Sequence, residues 1–93
     1  MKRELVGTTT FIRAAKKFLK KHPGQVDSLS ATLQEMEADV FQTKLRAHKL
    51  KGDLEGRWAC SAGYDLRIIF SFGVAQGAET IQLLSLGSHD EVY

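Results

Sequence analysis

Arg57-Trp58-Ala59-Cys60-Ser61-Ala62, Gly63-Tyr64-Asp65 and Leu66-Arg67-Ile68-Ile69-Phe70-Ser71-Phe72 follow one another where the chain switches to a period of two. Trp58, Cys60 and Ala62 alternate with Arg57, Ala59 and Ser61, which predicts a strand. Gly63-Tyr64-Asp65 predicts a turn, and residues 66–72 a second strand rich in β-formers. Side chains on a strand point alternately to opposite faces. Leu66, Ile68, Phe70 and Phe72 therefore share the core side, with Arg67, Ile69 and Ser71 on the other. Residues 80–86 form a third run, with Gly73 and Gly77 in the loop before it.

Working back from this stretch, the period becomes helical. Phe11, Ile12, Ala15, Phe18 and Leu19 recur at helical spacing, opposite Arg13, Lys16, Lys17, Lys20 and Lys21. Thr8 or Thr9 can cap this helix, and Pro23-Gly24 ends it. Val26, Leu29, Leu33, Met36 and Val40 line one stripe of a second helix, and Glu4-Leu5-Val6-Gly7 reads as a short first strand. The expected fold is α+β: a strand, a two-helix hairpin, then three to four strands in a curved, mainly antiparallel sheet. The helices cover one sheet face and leave the other open.

Ninety-three residues suit a single domain over residues 1–93. A hydrophobic share of 43% with one proline argues against a disordered chain, and the lone Cys60 excludes a disulfide framework or a cysteine-rich zinc site. No apolar run reaches the length of a membrane span, and no apolar stretch follows Met1-Lys2-Arg3-Glu4 as in a signal peptide. The expected location is the cytoplasm.

The net charge of +2 conceals segregation. Residues 1–21 carry +6, residues 22–43 carry −4, residues 44–67 carry +3 and the remainder −3. Clustered Lys and Arg suit a polyanion, because each phosphate contact releases condensed counterions. The same lysines also suit an ordinary solvated helix face.

Chemistry-bearing residues gather at the open face. Arg67 lies in an apolar strand, where a charge must be paired or exposed to a ligand. An ion pair with Asp65 at the strand edge is one such pairing. His48 lies in the basic loop Ala47-His48-Lys49-Leu50-Lys51-Gly52 and His89 in the last seven residues, whereas His22 reads as a helix C-terminal residue. Metal-free RNA cleavage needs a base for the 2′-hydroxyl, a cation for the phosphate and an acid for the 5′-oxygen. Histidine fills either proton-transfer role, a guanidinium forks onto phosphate oxygens, and an aromatic such as Tyr93 stacks on a splayed base. The histidines lack metal-ligand spacing.

In order and spacing, four segments resemble the RelE/YafQ/YoeB group of bacterial type II toxins, in the RelE/ParE superfamily. They are His48-Lys49-Leu50-Lys51-Gly52, Leu54-Glu55-Gly56-Arg57-Trp58, Tyr64-Asp65-Leu66-Arg67-Ile68-Ile69-Phe70 and Leu86-Gly87-Ser88-His89-Asp90-Glu91-Val92-Tyr93. The resemblance implies a RelE-like fold and an endoribonuclease that cuts messenger RNA in the ribosomal A site without a metal or small-molecule cofactor. It also implies a cognate antitoxin, expected to cross the helices or cover the His89 end. Ribosomal (16S) RNA would meet the basic first helix.

Position by position, His48 matches a catalytic histidine or glutamate, Asp65 an active-site aspartate and Arg67 a catalytic arginine. His89 matches a C-terminal general acid and Tyr93 a terminal aromatic near the substrate. Lys49, Lys51 and Arg57 would hold the RNA backbone. Ser61 and Leu66 stand where YafQ-like members often have histidine and tryptophan, so the base is His48 or Asp65. Two alternatives stay open: a ParE-like inhibitor of DNA gyrase, and a RelE-fold protein that binds without catalysis.

Overall fold

The computed structural model of the chain describes residues 2–63 and 65–88. Strand β1 (Glu4–Gly7) leads into helix α1 (Thr9–Lys21), a short 3₁₀ turn and helix α2 (Val26–Asp39). Four strands follow: β2 (His48–Lys49), β3 (Trp58–Ala62), β4 (Leu66–Ala75) and β5 (Ala78–Ser88). They form one sheet in the order β1-β5-β4-β3-β2, with β1 parallel to β5 and every other pairing antiparallel.

Thr8, not Thr9, caps α1. Its hydroxyl oxygen accepts from Phe11 N–H at 3.1 Å and its O–H donates to the Leu83 carbonyl at 2.7 Å. One residue thus starts the helix and ties it to β5. Phe11, Leu29, Met36 and Val40 bring the helices down on Cys60, Ile68, Phe70, Ile81, Leu83 and Leu86. The helical stripes are narrower than their spacing predicts: Ile12 at the margin of α1 is 46% exposed and Val26 at the start of α2 is 49% exposed. Thr32, buried beside Leu29, meets its polar requirement by donating to the Ser28 carbonyl. Among the described residues, no buried side-chain nitrogen or oxygen lacks a partner.

β4 and β5 extend beyond the predicted spans. Gly73 lies inside β4 rather than in the loop, paired with Thr80, and a Cβ there would approach Thr80 Oγ1 to 3.2 Å and Gln82 Nε2 to 3.3 Å. The turn is only Gln76-Gly77, at φ 53° and 79°. Two left-handed residues make the tight hairpin whose twist matches paired strands. A second departure is a bulge: Ile69 pairs with Ser85 but Phe70 pairs with Leu83, leaving Leu84 as the extra residue. That insertion resets the alternation, so Ile81 and Leu83 before it and Leu86 after it all face the helices.

Cys60 is fully buried, its Sγ 3.7 Å from Met36 Sδ. Burial pushes its pKa from the ordinary 9.0 up to about 12, with the nearby Arg67 charge opposing part of the shift. The folded chain holds this proton that the unfolded chain releases sooner. This contribution to stability is complete below pH 9 and is lost as pH rises toward 12. A thiol reagent at pH 8 is expected to leave the native chain unlabelled and to label it fully in denaturant. Rapid native labelling would contradict the packing.

Candidate active site

Register places the residues of the face turned away from the helices in two rows. One row runs His48, Ala59, Ile69, Ser85 across β2, β3, β4 and β5. The next runs Ser61, Arg67, Gly87. Residues paired across antiparallel strands share a face, so His48 and Arg67 lie on the same side of the sheet. Two interstrand steps and a two-residue advance separate their backbones by about 12 Å. Gly87 has no side chain to crowd the guanidinium on one flank, and Ser61 has a short one on the other.

Arg67 Nη1 donates to the Leu66 carbonyl at 3.1 Å, which holds the side chain against its own strand. His48 is oriented by its approach. Arg46 takes a left-handed conformation, φ 53° and ψ 43°, and its carbonyl lies 2.9 Å from His48 Nδ1. A carbonyl only accepts, so Nδ1 carries the hydrogen and the neutral ring's basic nitrogen is Nε2. The two-residue strand β2 replaces the loop expected around His48.

The other predicted residues divide. Asp65 stands in the turn before β4, against a cavity of about 490 Å³ that His22, Gln25, Ser28 and Ser88 also line. Lys49 follows His48 and therefore points to the opposite face, with Nζ 5.7 Å from the Trp58 ring centroid. The structure does not bring it to Arg67. Lys51 and Arg57 line a cavity of about 650 Å³ at the sheet edge together with Lys49, and there the Leu50 N–H donates to the Arg57 carbonyl at 2.9 Å. His89 and Tyr93 lie outside the described residues; β5 ends at Ser88, paired with Leu66 beside the Arg67 row.

Sequence reasoning missed Thr10, Leu84 and Ser85. They share a cavity of about 420 Å³ with Ile69 and Arg57 on the same face as Arg67. The signal was the consecutive pair Leu83-Leu84, which interrupts the alternation of β5. Among the described residues, no three of His, Cys, Asp and Glu are grouped as metal ligands. No helix among them is long and apolar enough to cross a membrane.

Residues 3–93 match the family model for the bacterial toxin of type II toxin-antitoxin system, YafQ. The chain belongs to the YafQ toxin family. It is thus the toxin type of a type II toxin–antitoxin system. Solved YafQ-family structures share its RelE-like fold at low identity. YafQ from E. coli strain BL21(DE3) superposes with a TM-score of 0.76 at 12% identity, covering 98% of each chain. YafQ in the E. coli DinJ-YafQ toxin-antitoxin complex gives 0.73 at 13% identity, covering 100% of this chain and 99% of that one. A YoeB/ParE toxin from Agrobacterium tumefaciens gives 0.72 at 15% identity, covering 92% of this chain and 98% of that one. No curated protein sequence matches the chain.

Proposed function

We propose that this toxin is a ribosome-dependent endoribonuclease that cleaves messenger RNA in the A site and is silenced by a cognate antitoxin. The observation that carries the reading is the register that sets Arg67 and His48 on one sheet face, the one turned away from the helices. An RNA phosphodiester between them would meet a guanidinium on one side and a proton acceptor on the other. His48 Nε2, or the Asp65 carboxylate, takes the 2′-hydroxyl proton. The 2′-oxygen attacks phosphorus, and Arg67 stabilises the charge on the equatorial oxygens. The P–O5′ bond breaks, His89 supplies the proton to the leaving 5′-oxygen, and a 2′,3′-cyclic phosphate remains. Tyr93 stacks on a neighbouring base, while Lys51 and Arg57 hold backbone phosphates. Lys49 lines the same cavity as Lys51 and Arg57 and holds the backbone with them.

The test is cleavage of programmed messenger RNA by purified toxin with His48, Asp65, Arg67 and His89 replaced singly. Loss of cutting with Arg67→Ala and His89→Ala is the supporting result. Intact messenger with wild-type toxin overturns the reading.

Ser61 pairs directly with Arg67, at the position where a histidine would add a second base. Ser61→His is expected to speed cleavage about 10-fold or more, within the range for positioned acid–base groups. A single-turnover assay checks this, and a flat or falling rate contradicts it.

Docking on the ribosome is assigned to α1, where Arg13, Lys16, Lys17 and Lys20 are exposed. The triple replacement Lys16→Ala, Lys17→Ala and Lys20→Ala should weaken ribosome binding at every codon alike. Each lost phosphate contact lowers the log–log salt slope by about 0.7–0.9. A slope unchanged from the wild-type value would move the ribosomal contact elsewhere. DinJ-YafQ is solved as a toxin-antitoxin complex, which supports an antitoxin partner here. The basic α1 face suits an acidic antitoxin segment.

A further inference from the structure

The cavity over Ile69 takes no part in the proton transfers above, although Arg57 at its edge also serves the backbone phosphates. We infer that it is a subsite for the nucleobase beside the cleaved phosphate. The inference rests on the RNA-cleaving reading and adds a specificity element to it. Its floor is apolar, formed by Ile69, which is 4% exposed, and by Leu84. Thr10, Ser85 and Arg57 line it as well, together with Leu54. Thr8 also lines it, but the Thr8 hydroxyl is engaged with the Leu83 carbonyl and Phe11 N–H.

The bulge builds this site. By strict alternation, consecutive strand residues face opposite ways; the extra residue lets Leu84 and Ser85 line the same cavity. A flat ring with polar edges fits such a place. The ring rests on apolar atoms, hydroxyls that either donate or accept meet its edge, and Arg57 holds the phosphate beside it. No acidic side chain lines the cavity among the described residues, which favours an RNA segment over a basic peptide. Position agrees as well. The Ile69–Ser85 row is two residues along the strands from the Arg67–Gly87 row, about 7 Å, so a strand of RNA crossing Arg67 reaches the cavity with its next residue.

Two variants test the assignment. Ser85→Phe fills the cavity with a ring, and Thr10→Ala removes one edge contact from the exposed first turn of α1 without adding volume. Both are assayed with intact ribosomes programmed with messengers that differ at the nucleotides flanking the cut. A second probe is a short RNA with a 2′-deoxy residue at the scissile position and 2-aminopurine beside it.

Ser85→Phe is expected to raise KM about 10-fold, the scale of one lost base stack, with kcat changed far less. It should also abolish the rise in 2-aminopurine fluorescence expected when wild-type toxin draws that base out of the RNA stack. Thr10→Ala, with melting unchanged, should shift which flanking nucleotide is preferred. If wild-type toxin cuts and both variants keep its KM, nucleotide profile and fluorescence change, the subsite is refuted while the nuclease reading stands. If Ser85→Phe instead loses only antitoxin binding, the cavity belongs to protein recognition and the inference fails. If wild type cuts no messenger, the underlying reading itself falls.

Discussion

With Arg67 replaced by alanine, cleavage of programmed messenger RNA is expected to fall about 10²–10³-fold, the usual consequence of removing one donor aimed at developing oxyanion charge. The chain should stay folded. Arg67 is half-buried on the face turned away from the helices, its bond is to the adjacent Leu66 carbonyl, and its strand partners are the small residues Gly87 and Ser61. Arg67→Lys should restore only part of the rate, since an ammonium is a point charge and cannot fork onto two phosphate oxygens. Single-turnover cleavage and a thermal melt on the same preparations check both statements. Full activity in Arg67→Ala would remove the cation from the mechanism. Lysine matching arginine would show that charge alone suffices.

A larger effect on stability is expected at Phe70. Its side chain is fully buried in the middle of β4, with ring centroids 6.4 Å from Trp58 and 5.6 Å from Phe72. Its strand neighbours are Trp58 on one side and Leu83 on the other, so truncation empties the junction between sheet and helices. Phe70→Ala should cost about 3–5 kcal/mol. Domains of this kind have only about 5–15 kcal/mol in total, so much of the protein would lose its native state at moderate temperature. Phe41→Ala is the comparison. Phe41 stacks on Phe72 at 5.6 Å but is 51% exposed, and its replacement should cost far less. Urea denaturation measures both. Equal losses would mean that Phe70 is not the centre of the core.

Much of this fold was legible because its signals are local. The Thr8 cap, the Phe11–Ala15–Phe18 stripe, the break at Pro23 and the alternation from Trp58 to Phe72 each follow from a few neighbouring residues. The parity of Arg67, Ile69 and Ser71 was equally plain, and it sets the candidate face. What was not legible depends on pairing between distant segments. His48-Lys49 is too short to show any alternation, and only Ala59 and Trp58 opposite make it a strand. That same pairing turns Lys49 away from His48, which no count along the loop could reveal. Val74 and Ala75 read as loop because Gly73 and Gly77 bracket them, yet they are held in register by Glu79 and Ala78. The bulge at Leu84 is visible as an adjacent leucine pair only once the Ile69–Ser85 register is known.

The site separates in the same way. Residue types and spacing named His48 and Arg67, and strand pairing alone brought them to one face. Asp65 sits at the turn leading into the Arg67 strand, which keeps it in contention with His48 for the proton of the 2′-hydroxyl. Ser85 and Thr10 come from opposite ends of the chain. They share a cavity because Thr8 ties the start of α1 to the Leu83 carbonyl, two residues before Ser85.

The most direct measurement is the mapping of RNA ends after purified toxin meets ribosomes holding a defined codon in the A site. The expected result is a cut inside that codon, with a 2′,3′-cyclic phosphate on the upstream fragment and a signal that vanishes in Arg67→Ala. Uncut messenger at saturating toxin, or the same cut with Arg67→Ala, would contradict it.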